Sequence, residues 1–159
     1  MTCRATTPRS SGFTMVELMV AVAIIGIIAS FAAPAFRDMM VNERVRSASF
    51  ELVAALTQAR SEAIKRNASV TLAPTSATTE WAGGWTVTAA GPTDLGTQGA
   101  FSGIAITGPT SIIYNRSGRS AATSTVTLQV ASASSGTTIT PRCISVGLTG
   151  QPKSVKGSC

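Results

Sequence analysis

The chain has 159 residues, a length at which one domain is expected. Because 44% of the residues are hydrophobic and 13% are charged, a disordered chain is excluded. The 14 glycines follow no collagen repeat, which excludes a collagen. It contains no histidine, which excludes His-based acid–base catalysis and histidine metal ligands. The net charge of +6 fits either an anionic partner, such as nucleic acid or a membrane surface, or an ordinary solvated surface.

An apolar stretch over residues 13–36 follows a short, polar and basic segment over residues 1–12. Leu18 to Phe36 carry no charge, and as a helix they would be roughly 28 Å long, close to the hydrocarbon thickness of a bilayer. The sequence therefore predicts one membrane-spanning helix. Because basic residues precede it, we expect the N-terminus in the cytoplasm and the rest of the chain across the membrane.

The start of the apolar stretch differs from an ordinary secretory signal. Such a signal ends in small residues after its apolar region, whereas here a Gly12–Phe13 junction precedes that region. Glu17 also places a carboxylate within the stretch, where an acidic side chain is energetically unfavourable. An acidic residue in a membrane segment is by default a candidate functional residue.

These residues carry a resemblance to a known family. Residues 12–18, Gly-Phe-Thr-Met-Val-Glu-Leu, resemble the class III signal of type IV pilins and type II secretion pseudopilins. The resemblance implies that a prepilin peptidase cleaves between Gly12 and Phe13 and methylates the new amine of Phe13. It also implies that Glu17 pairs with the N-terminal amine of a neighbouring subunit during assembly, since each charge alone is unfavourable in apolar surroundings.

The same resemblance implies domains and partners. A cleaved leader over residues 1–12 would precede a transmembrane and filament-core helix over residues 13–36 and a periplasmic globular domain over residues 37–159. The chain would be a single-pass protein of the bacterial inner membrane before it enters a pilus or pseudopilus. Its partners would be other major and minor pilins, the prepilin peptidase and the inner-membrane assembly platform, and no cofactor is expected.

A second helical pattern continues from the apolar stretch. Apolar residues recur at spacings of three and four and form one stripe: Val41, Val45, Ala48, Leu52, Leu56, Ala59 and Ala63. Off the stripe, Glu62 and Arg66 have the spacing of a favourable i,i+4 pair. We expect one long helix from Phe13 to about Arg66, with Asn67 as its stop. We prefer the interpretation that the stripe covers a sheet of the same chain. The alternative is that the stripe forms a coiled coil with a partner.

After Asn67 the composition changes to Ser, Thr, Gly and Val, which favours short strands. We predict strands at Ser69–Ala73, Trp85–Ala89, Ile104–Thr107, Ser111–Asn115, Thr125–Val130 and Arg142–Leu148. Pro74–Glu80 and Gly91–Gly99 are predicted to be loops. Because the strands follow one another without helices, the expected fold class is α+β, a long N-terminal helix packed on a mostly antiparallel β-sheet domain.

Two further elements narrow the resemblance. Trp81 to Trp85, Trp-Ala-Gly-Gly-Trp, resembles the W-x-x-G-W element of the FimT/GspH branch, which includes FimU-type minor pilins, and both tryptophans are also expected in the core. Residues 113–119 resemble the aromatic-x-x-x-Gly turn of that branch. The resemblance implies a pilin-like fold and a non-enzymatic minor pilin that primes or caps a type IV pilus. The alternatives are a type II secretion pseudopilin and a DNA-binding minor pilin for natural transformation.

The DNA-binding alternative depends on the basic C-terminal third. No acidic residue follows Asp94, whereas five cations do: Arg116, Arg119, Arg142, Lys153 and Lys156. The resemblance to DNA-binding FimT proteins implies a Gly-Arg-x-Arg element, but the nearest stretch, residues 150–156, has lysines instead. A lysine neutralises phosphate but lacks the bidentate fork of arginine. The candidate DNA-binding residues are Lys153, Lys156 and Arg142.

The chain has three cysteines, Cys3, Cys143 and Cys159. Removal of the implied leader would take Cys3 and leave an even pair in an oxidising compartment. We predict a disulfide between Cys143 and Cys159, which closes a loop worth about 3 kcal/mol in the chain-entropy model. The resemblance agrees, since many minor pilins carry such a C-terminal loop and GspH-type pseudopilins more often lack one. A metal site needs more ligands, and a catalytic thiol would lack a histidine base, so neither a metal site nor a catalytic residue is expected.

Overall fold

A computed structural model of the chain describes residues 12–76, 80–90, 94–134 and 139–159. Residues 1–11, which form most of the predicted leader and include Cys3, lie outside this description. The chain divides into two compact units, Met1–Arg37 and Asp38–Cys159.

One α-helix, α1, spans Met15–Arg66, which confirms the prediction of a long N-terminal helix. Two backbone hydrogen bonds at its end are those of a Schellman motif: the amide of Ala68 donates to the carbonyl of Ala63, and the amide of Asn67 to that of Ile64. Asn67 has a φ of 49°, a left-handed conformation that asparagine tolerates better than most residues. Asn67 therefore ends the helix, as its position in the sequence predicts.

The last turns of α1 carry ion pairs on their solvent side. Arg66 Nε lies 2.8 Å from one carboxylate oxygen of Glu62, as the i,i+4 spacing predicts, and Lys65 Nζ lies 3.2 Å from the other. The hydrogen bond from Arg66, and after it the one from Lys65, lowers the pKa of the Glu62 carboxyl below its ordinary value. Cations in the last turn also complement the negative end of the helix dipole.

Within the described residues, eight strands follow α1. They are β1 (Val70–Pro74), β2 (Trp85–Ala89), β3 (Asp94–Gln98), β4 (Ile104–Thr107), β5 (Ile112–Tyr114), β6 (Val126–Ser132), β7 (Arg142–Val146) and β8 (Pro152–Lys156). A short 3-10 helix covers Trp81–Gly83, between β1 and β2. The strands form two four-stranded sheets, in the orders β3-β2-β1-β5 and β4-β6-β7-β8. Every neighbouring pair is antiparallel, which confirms the expected fold class.

Two of these strands are missing from the sequence-based prediction. The assignment of Gly91–Gly99 to a loop is wrong from residue 94 onward, because β3 covers Asp94–Gln98, and residues 91–93 lie outside the described chain. β3 is an edge strand that faces solvent along most of its length, so it lacks the alternation of a half-buried strand. β8 is also an edge strand. It contains a proline and two lysines, residue types that protect a sheet edge from further pairing. These residues leave no apolar alternation from which the strand could be predicted.

The other predicted loop, Pro74–Glu80, differs from the structure at both of its ends. Pro74 is the last residue of β1, and Glu80 forms an isolated antiparallel bridge with Thr107. Residues 77–79 lie outside the described chain. Single bridges of this kind carry no periodic sequence signal, so local patterning could not place them.

The second unit has one hydrophobic core, to which α1 and both sheets contribute. The buried stripe residues of α1 are Val45, Ala48, Leu52, Leu56, Ala59 and Ala63. Large buried side chains from the sheets are Leu72, Ile106, Ile112, Leu128 and Ile144. Each such side chain stabilises the fold by about 1.5–3 kcal/mol relative to exposure. Val41, the first residue of the stripe, is half-buried, and the rest of the stripe packs within the chain, which confirms the preferred interpretation over a coiled coil.

The W-x-x-G-W element places its two tryptophans in this core. Trp81 and Trp85 are 0% and 2% exposed. The ring of Trp85 stacks on Phe101 with 5.4 Å between the ring centroids. Trp81 Nε1 donates a hydrogen bond of 2.8 Å to the carbonyl of Pro109, which satisfies the indole's polar group. The core role expected of both tryptophans is confirmed.

The aromatic-x-x-x-Gly turn follows β5 and contacts the second half of α1. Tyr114, the last residue of β5, is fully buried. The side-chain oxygen of Asn115 accepts a hydrogen bond of 3.1 Å from the amide of Arg119, which holds the turn closed. From α1, Arg60 Nε donates a hydrogen bond of 2.9 Å to the carbonyl of Gly118. This turn is therefore a structural junction between helix and sheet.

Tyr114 is the only tyrosine in the sequence, so its titration can be observed directly. Burial raises the pKa of Tyr114 to about 12, and the charge of Arg60 opposes that shift. The folded state thus holds the phenol proton more tightly than the unfolded state, whose tyrosine titrates near pH 10. The free energy of unfolding should therefore fall as the pH rises above about 10. Ultraviolet absorbance should give an apparent pKa of about 12 in the folded chain and about 10 after denaturation.

Tyr114→Phe is the control for this titration. The phenol oxygen has no hydrogen-bond partner among the described residues. The variant should therefore keep its neutral-pH stability within about 1 kcal/mol and lose the part of the alkaline destabilisation that comes from the phenol. A folded wild-type chain whose phenol titrates near pH 10 would contradict the burial of Tyr114.

Candidate functional site

The predicted processing site lies where the described chain begins. Gly12 and Phe13 are exposed and precede the helix, and 74% of the surface of Phe13 is accessible. Thr14 is the N-cap residue, since α1 starts at Met15. Exposed backbone outside regular structure is the kind of segment that a peptidase can bind and cleave.

Glu17 and Thr14 form a capping box at the start of α1. The amide of Glu17 donates a hydrogen bond of 3.2 Å to Thr14 Oγ1, and the amide of Thr14 donates one of 3.0 Å to Glu17 Oε2. The Thr14 hydroxyl donates a further bond of 2.9 Å to the same carboxylate oxygen. The Glu17 carboxylate is therefore held at the positive end of the helix dipole, three residues from Thr14. Cleavage after Gly12 would create an amine one residue before that threonine.

Sequence reasoning singled out Glu17 and missed Thr14. A Ser or Thr followed three residues later by Glu, directly before an apolar run, is the sequence signature of a capping box. The residues from Thr14 to Glu17 match that signature, so the pair could have been found without a structure.

The first unit presents an apolar helical surface. An 18-residue window of α1 has a mean hydropathy of 2.4, long and apolar enough to cross a membrane, and none of that window is buried within the described chain. The most exposed large side chains of this part are Phe13, Met15, Val16, Met19, Ile25, Phe31 and Phe36. An apolar surface of this extent marks contact with lipid or with another protein.

The three candidate DNA-binding residues do not share one face of their sheet. Lys156 lies opposite Arg142 in the register of β8 on β7, whereas Lys153 lies opposite Ser145. Side chains three residues apart on a strand point to opposite faces, so Lys153 and Lys156 point away from each other. The structure therefore brings Arg142 and Lys156 together and separates Lys153 from them.

Arg142 and Lys156 belong to a cleft between their sheet and α1, which we call the basic cleft. Its volume is about 420 Å³, and it is lined by Asn42, Glu43, Val45, Arg46, Thr140, Arg142 and Lys156. Beside it, the guanidinium carbons of Arg46 and Arg142 lie 5.6 and 5.8 Å from the ring centre of Phe50, within the range of cation–π contacts. Sequence reasoning missed Arg46 and Phe50, because only the tertiary fold brings α1 next to β7 and β8.

Cys143 and Cys159 form a disulfide, with their Cα atoms 4.9 Å apart, as the sequence predicts. Cys143 is buried in β7, so the bond holds the segment that follows β8 against the sheet. The amide of Cys159 also donates a hydrogen bond of 3.3 Å to the side-chain oxygen of Gln129 on β6. Both thiols are thus unavailable as metal ligands, and the described residues contain no group of three or more His, Cys, Asp or Glu side chains that could hold a metal ion.

Two family models match the chain. The model of the type II transport protein GspH matches residues 48–150, which include the end of α1 from Ala48 onward and the strands from β1 to β7. The prokaryotic N-terminal methylation motif matches residues 7–33, which include the Gly12–Phe13 junction and Glu17.

Curated relatives share a limited segment with the chain. It is 46% identical over 46 residues to the type IV major alpha-pilin of Moraxella bovis, an alignment covering 29% of each chain. It is 46% identical over 50 residues to a fimbrial protein of Pseudomonas aeruginosa, covering 31% of this chain and 32% of that protein. The chain therefore matches less than a third of the length of these relatives.

Among solved structures, the chain is similar to the type IV minor pilin FimU of Pseudomonas aeruginosa. One crystal form gives a TM-score of 0.61 at 18% identity, covering 70% of this chain and 87% of that chain. A second crystal form gives a TM-score of 0.60 at 20% identity, covering 69% of this chain and 91% of that chain. The likeness shows that this chain has the pilin fold of FimU.

Proposed function

The chain belongs to the GspH family of type II transport proteins, and on that premise we propose that it is a minor pilin of a type IV pilus. Its fold is that of a pilin, and its apolar helix and methylation motif are consistent with a membrane-anchored pilin. The role is structural: the subunit enters the filament and primes or caps its assembly.

The observation that carries this proposal is the exposed apolar surface of α1 in the first unit. A helix that is apolar on all sides is stable when lipid or other helices cover it. Lipid covers this surface while the subunit is in the membrane, and the equivalent helices of other pilins cover it in a filament. The same surface thus serves both states of a pilin.

Processing follows from the segment that precedes this helix. Residues 1–12 are a leader, and a prepilin peptidase cleaves between Gly12 and Phe13 and methylates the new amine. Residues 13–36 then hold the subunit in the bacterial inner membrane, with residues 37–159 in the periplasm. Support for this order comes from the exposed Gly12–Phe13 junction and from the methylation motif that includes it.

Assembly depends on Glu17. Its carboxylate binds the N-terminal amine of a neighbouring pilin as the assembly platform adds subunits to the filament. Neither charge is stable alone among apolar helices, so their pairing favours one docking register and disfavours the others. The capping box supports this role, since it holds the carboxylate at the helix end, beside the position of the processed amine.

A type II secretion pseudopilin is the second candidate, and the description of the matching family favours it. The two functions share the N-terminal segment and the fold, so neither feature separates them. The Cys143–Cys159 disulfide supports the pilus, because the resemblance implies such loops in minor pilins more often than in GspH-type pseudopilins.

Deletion of the gene separates these two functions. We expect a marked loss of surface pili, measured in sheared fractions, with recovery in a complemented strain and with normal secretion of type II substrates. Normal piliation together with a loss of type II secretion would contradict the minor-pilin function and support the pseudopilin function.

A further inference from the structure

The basic cleft holds like charges in positions that work against stability. Arg142 and Lys156 lie directly opposite each other on neighbouring antiparallel strands, a placement that destabilises a sheet when the charges have the same sign. Arg46 and Arg142 also share the ring of Phe50. An anion bound among these cations would remove the repulsion, so the cleft has the electrostatics of an anion-binding site.

Charge within the cleft is only partly neutralised. Among the lining residues, Glu43 supplies the carboxylate, and it lies 3.9 Å from Arg46. Within the described chain, Arg142 and Lys156 make no ion pair with a carboxylate. No acidic residue follows Asp94 in the sequence, so the β7–β8 side of the cleft has no local counter-charge.

We propose that the basic cleft binds the carboxylates of an acidic peptide segment carried by another protein subunit. Arg142 offers a planar guanidinium that can bind a carboxylate through two hydrogen bonds, and Lys156 adds a second cation on the same face. Phe50 is 54% exposed and contacts both guanidiniums, so it restricts them before the ligand arrives. The inference rests on the proposed function in one respect, since it takes the partner to be another subunit of the same assembly.

The arrangement favours a compact carboxylate ligand over a nucleic acid. A single strand of DNA is bound by cations that follow its backbone and by aromatic faces on which its bases stack. Here the ring of Phe50 is already engaged by two guanidiniums, and Lys153, which would extend the track of cations, faces the other side of the sheet. Glu43 also places a negative charge in the cleft, against a polyphosphate.

β8 supplies a matched pair of variants for the test. Lys156 and Lys153 are both exposed lysines of one strand, and only Lys156 lines the basic cleft. The full-length chain in non-ionic detergent micelles is titrated into a fluorescein-labelled oligoglutamate peptide, and binding is measured by fluorescence anisotropy at about 50 mM salt, where surface electrostatics are strong. Lys156→Gln should weaken binding about fivefold and Lys153→Gln less than about twofold, although both remove one charge.

Arg142→Gln provides a second variant, and it should weaken binding about tenfold because it removes the bidentate donor. Equal effects of Lys156→Gln and Lys153→Gln would show a general charge effect and overturn the proposal. Absence of binding to the wild-type chain would also overturn it. A short single-stranded DNA that binds more tightly than oligoglutamate, with the same dependence on Lys156, would make the cleft a nucleic-acid site instead.

Filament content separates this inference from the proposed function. In cells, Lys156→Gln and Arg142→Gln should lower the amount of the chain in sheared filaments more than Lys153→Gln does, with equal amounts of processed protein. If Glu17→Ala removes the chain from filaments and the two cleft variants do not, the proposed function stands and the inference fails. If the wild-type chain never enters filaments, the proposed function fails, and with it the assignment of the partner to the same assembly. The peptide titration then still decides whether the basic cleft binds an acidic peptide.

Discussion

Glu17→Ala should remove the chain from filaments while its globular unit stays folded. A neighbouring subunit's N-terminal amine would then lie unpaired among apolar helices, and loss of one partner of a desolvated ion pair is strongly unfavourable. We expect the amount of the chain in sheared filaments, relative to its amount in membranes, to fall by roughly a hundredfold. Processing at Gly12 should be unchanged. The measurement is quantitative immunoblotting of both fractions.

Thr14→Val separates the assembly role of Glu17 from its role in the capping box. This variant removes the hydroxyl that Glu17 contacts and keeps the carboxylate, so it should lose only helix-cap energy, about 1 kcal/mol. Its filament content should fall less than about tenfold. Glu51→Ala, which removes a carboxylate from the later part of α1, should have no effect on filament content. Equal losses for Thr14→Val and Glu17→Ala would show that capping explains the role of Glu17.

Gly84→Ala should destabilise the globular unit more than other single methyl additions in the W-x-x-G-W element. Gly84 has φ 99° and ψ 173°, a conformation that is essentially restricted to glycine. A Cβ at this position would collide with the backbone carbonyl of Gln98, the last residue of β3. We expect a loss of about 3 kcal/mol in the free energy of unfolding. That loss corresponds to a decrease of roughly 6–12 °C in Tm, measured by tryptophan fluorescence of the full chain in detergent micelles.

Gly83→Ala is the control, since it adds the same methyl group at the adjacent position. A Cβ on Gly83 would make an ordinary contact of 3.7 Å with Ser76 Oγ. Its effect on the free energy of unfolding should stay within about 0.5 kcal/mol. Similar losses for Gly83→Ala and Gly84→Ala would show that the conformation of Gly84 is not what the element requires.

Local periodicity predicts much of this fold. The helix and its buried stripe follow from spacings of three and four, and β2 and β4 have the predicted bounds, Trp85–Ala89 and Ile104–Thr107. Local periodicity does not predict the edge strands β3 and β8, because both face solvent along most of their length and carry no apolar alternation. The division of the strands between two sheets depends on pairings distant in sequence, such as β1 with β5, which local patterns do not encode.

The candidate sites also divide into those that the sequence predicts and one that depends on the tertiary fold. Glu17 and the Gly12–Phe13 junction could be identified because their chemistry lies within one short segment. The basic cleft could not, since it joins Arg46 on α1 to Arg142 and Lys156 on two strands. The sequence could not separate Lys153 from Lys156, because β8 is not among the predicted strands and residues three apart on a strand point to opposite faces.

Mass spectrometry of this chain in filaments sheared from cells tests the central claim most directly. The proposed function predicts that the chain is present in this fraction and that its first residue is Phe13 with a methylated amine. A chain that is absent from the filaments, or that is present there with residues 1–12 still attached, would contradict the account.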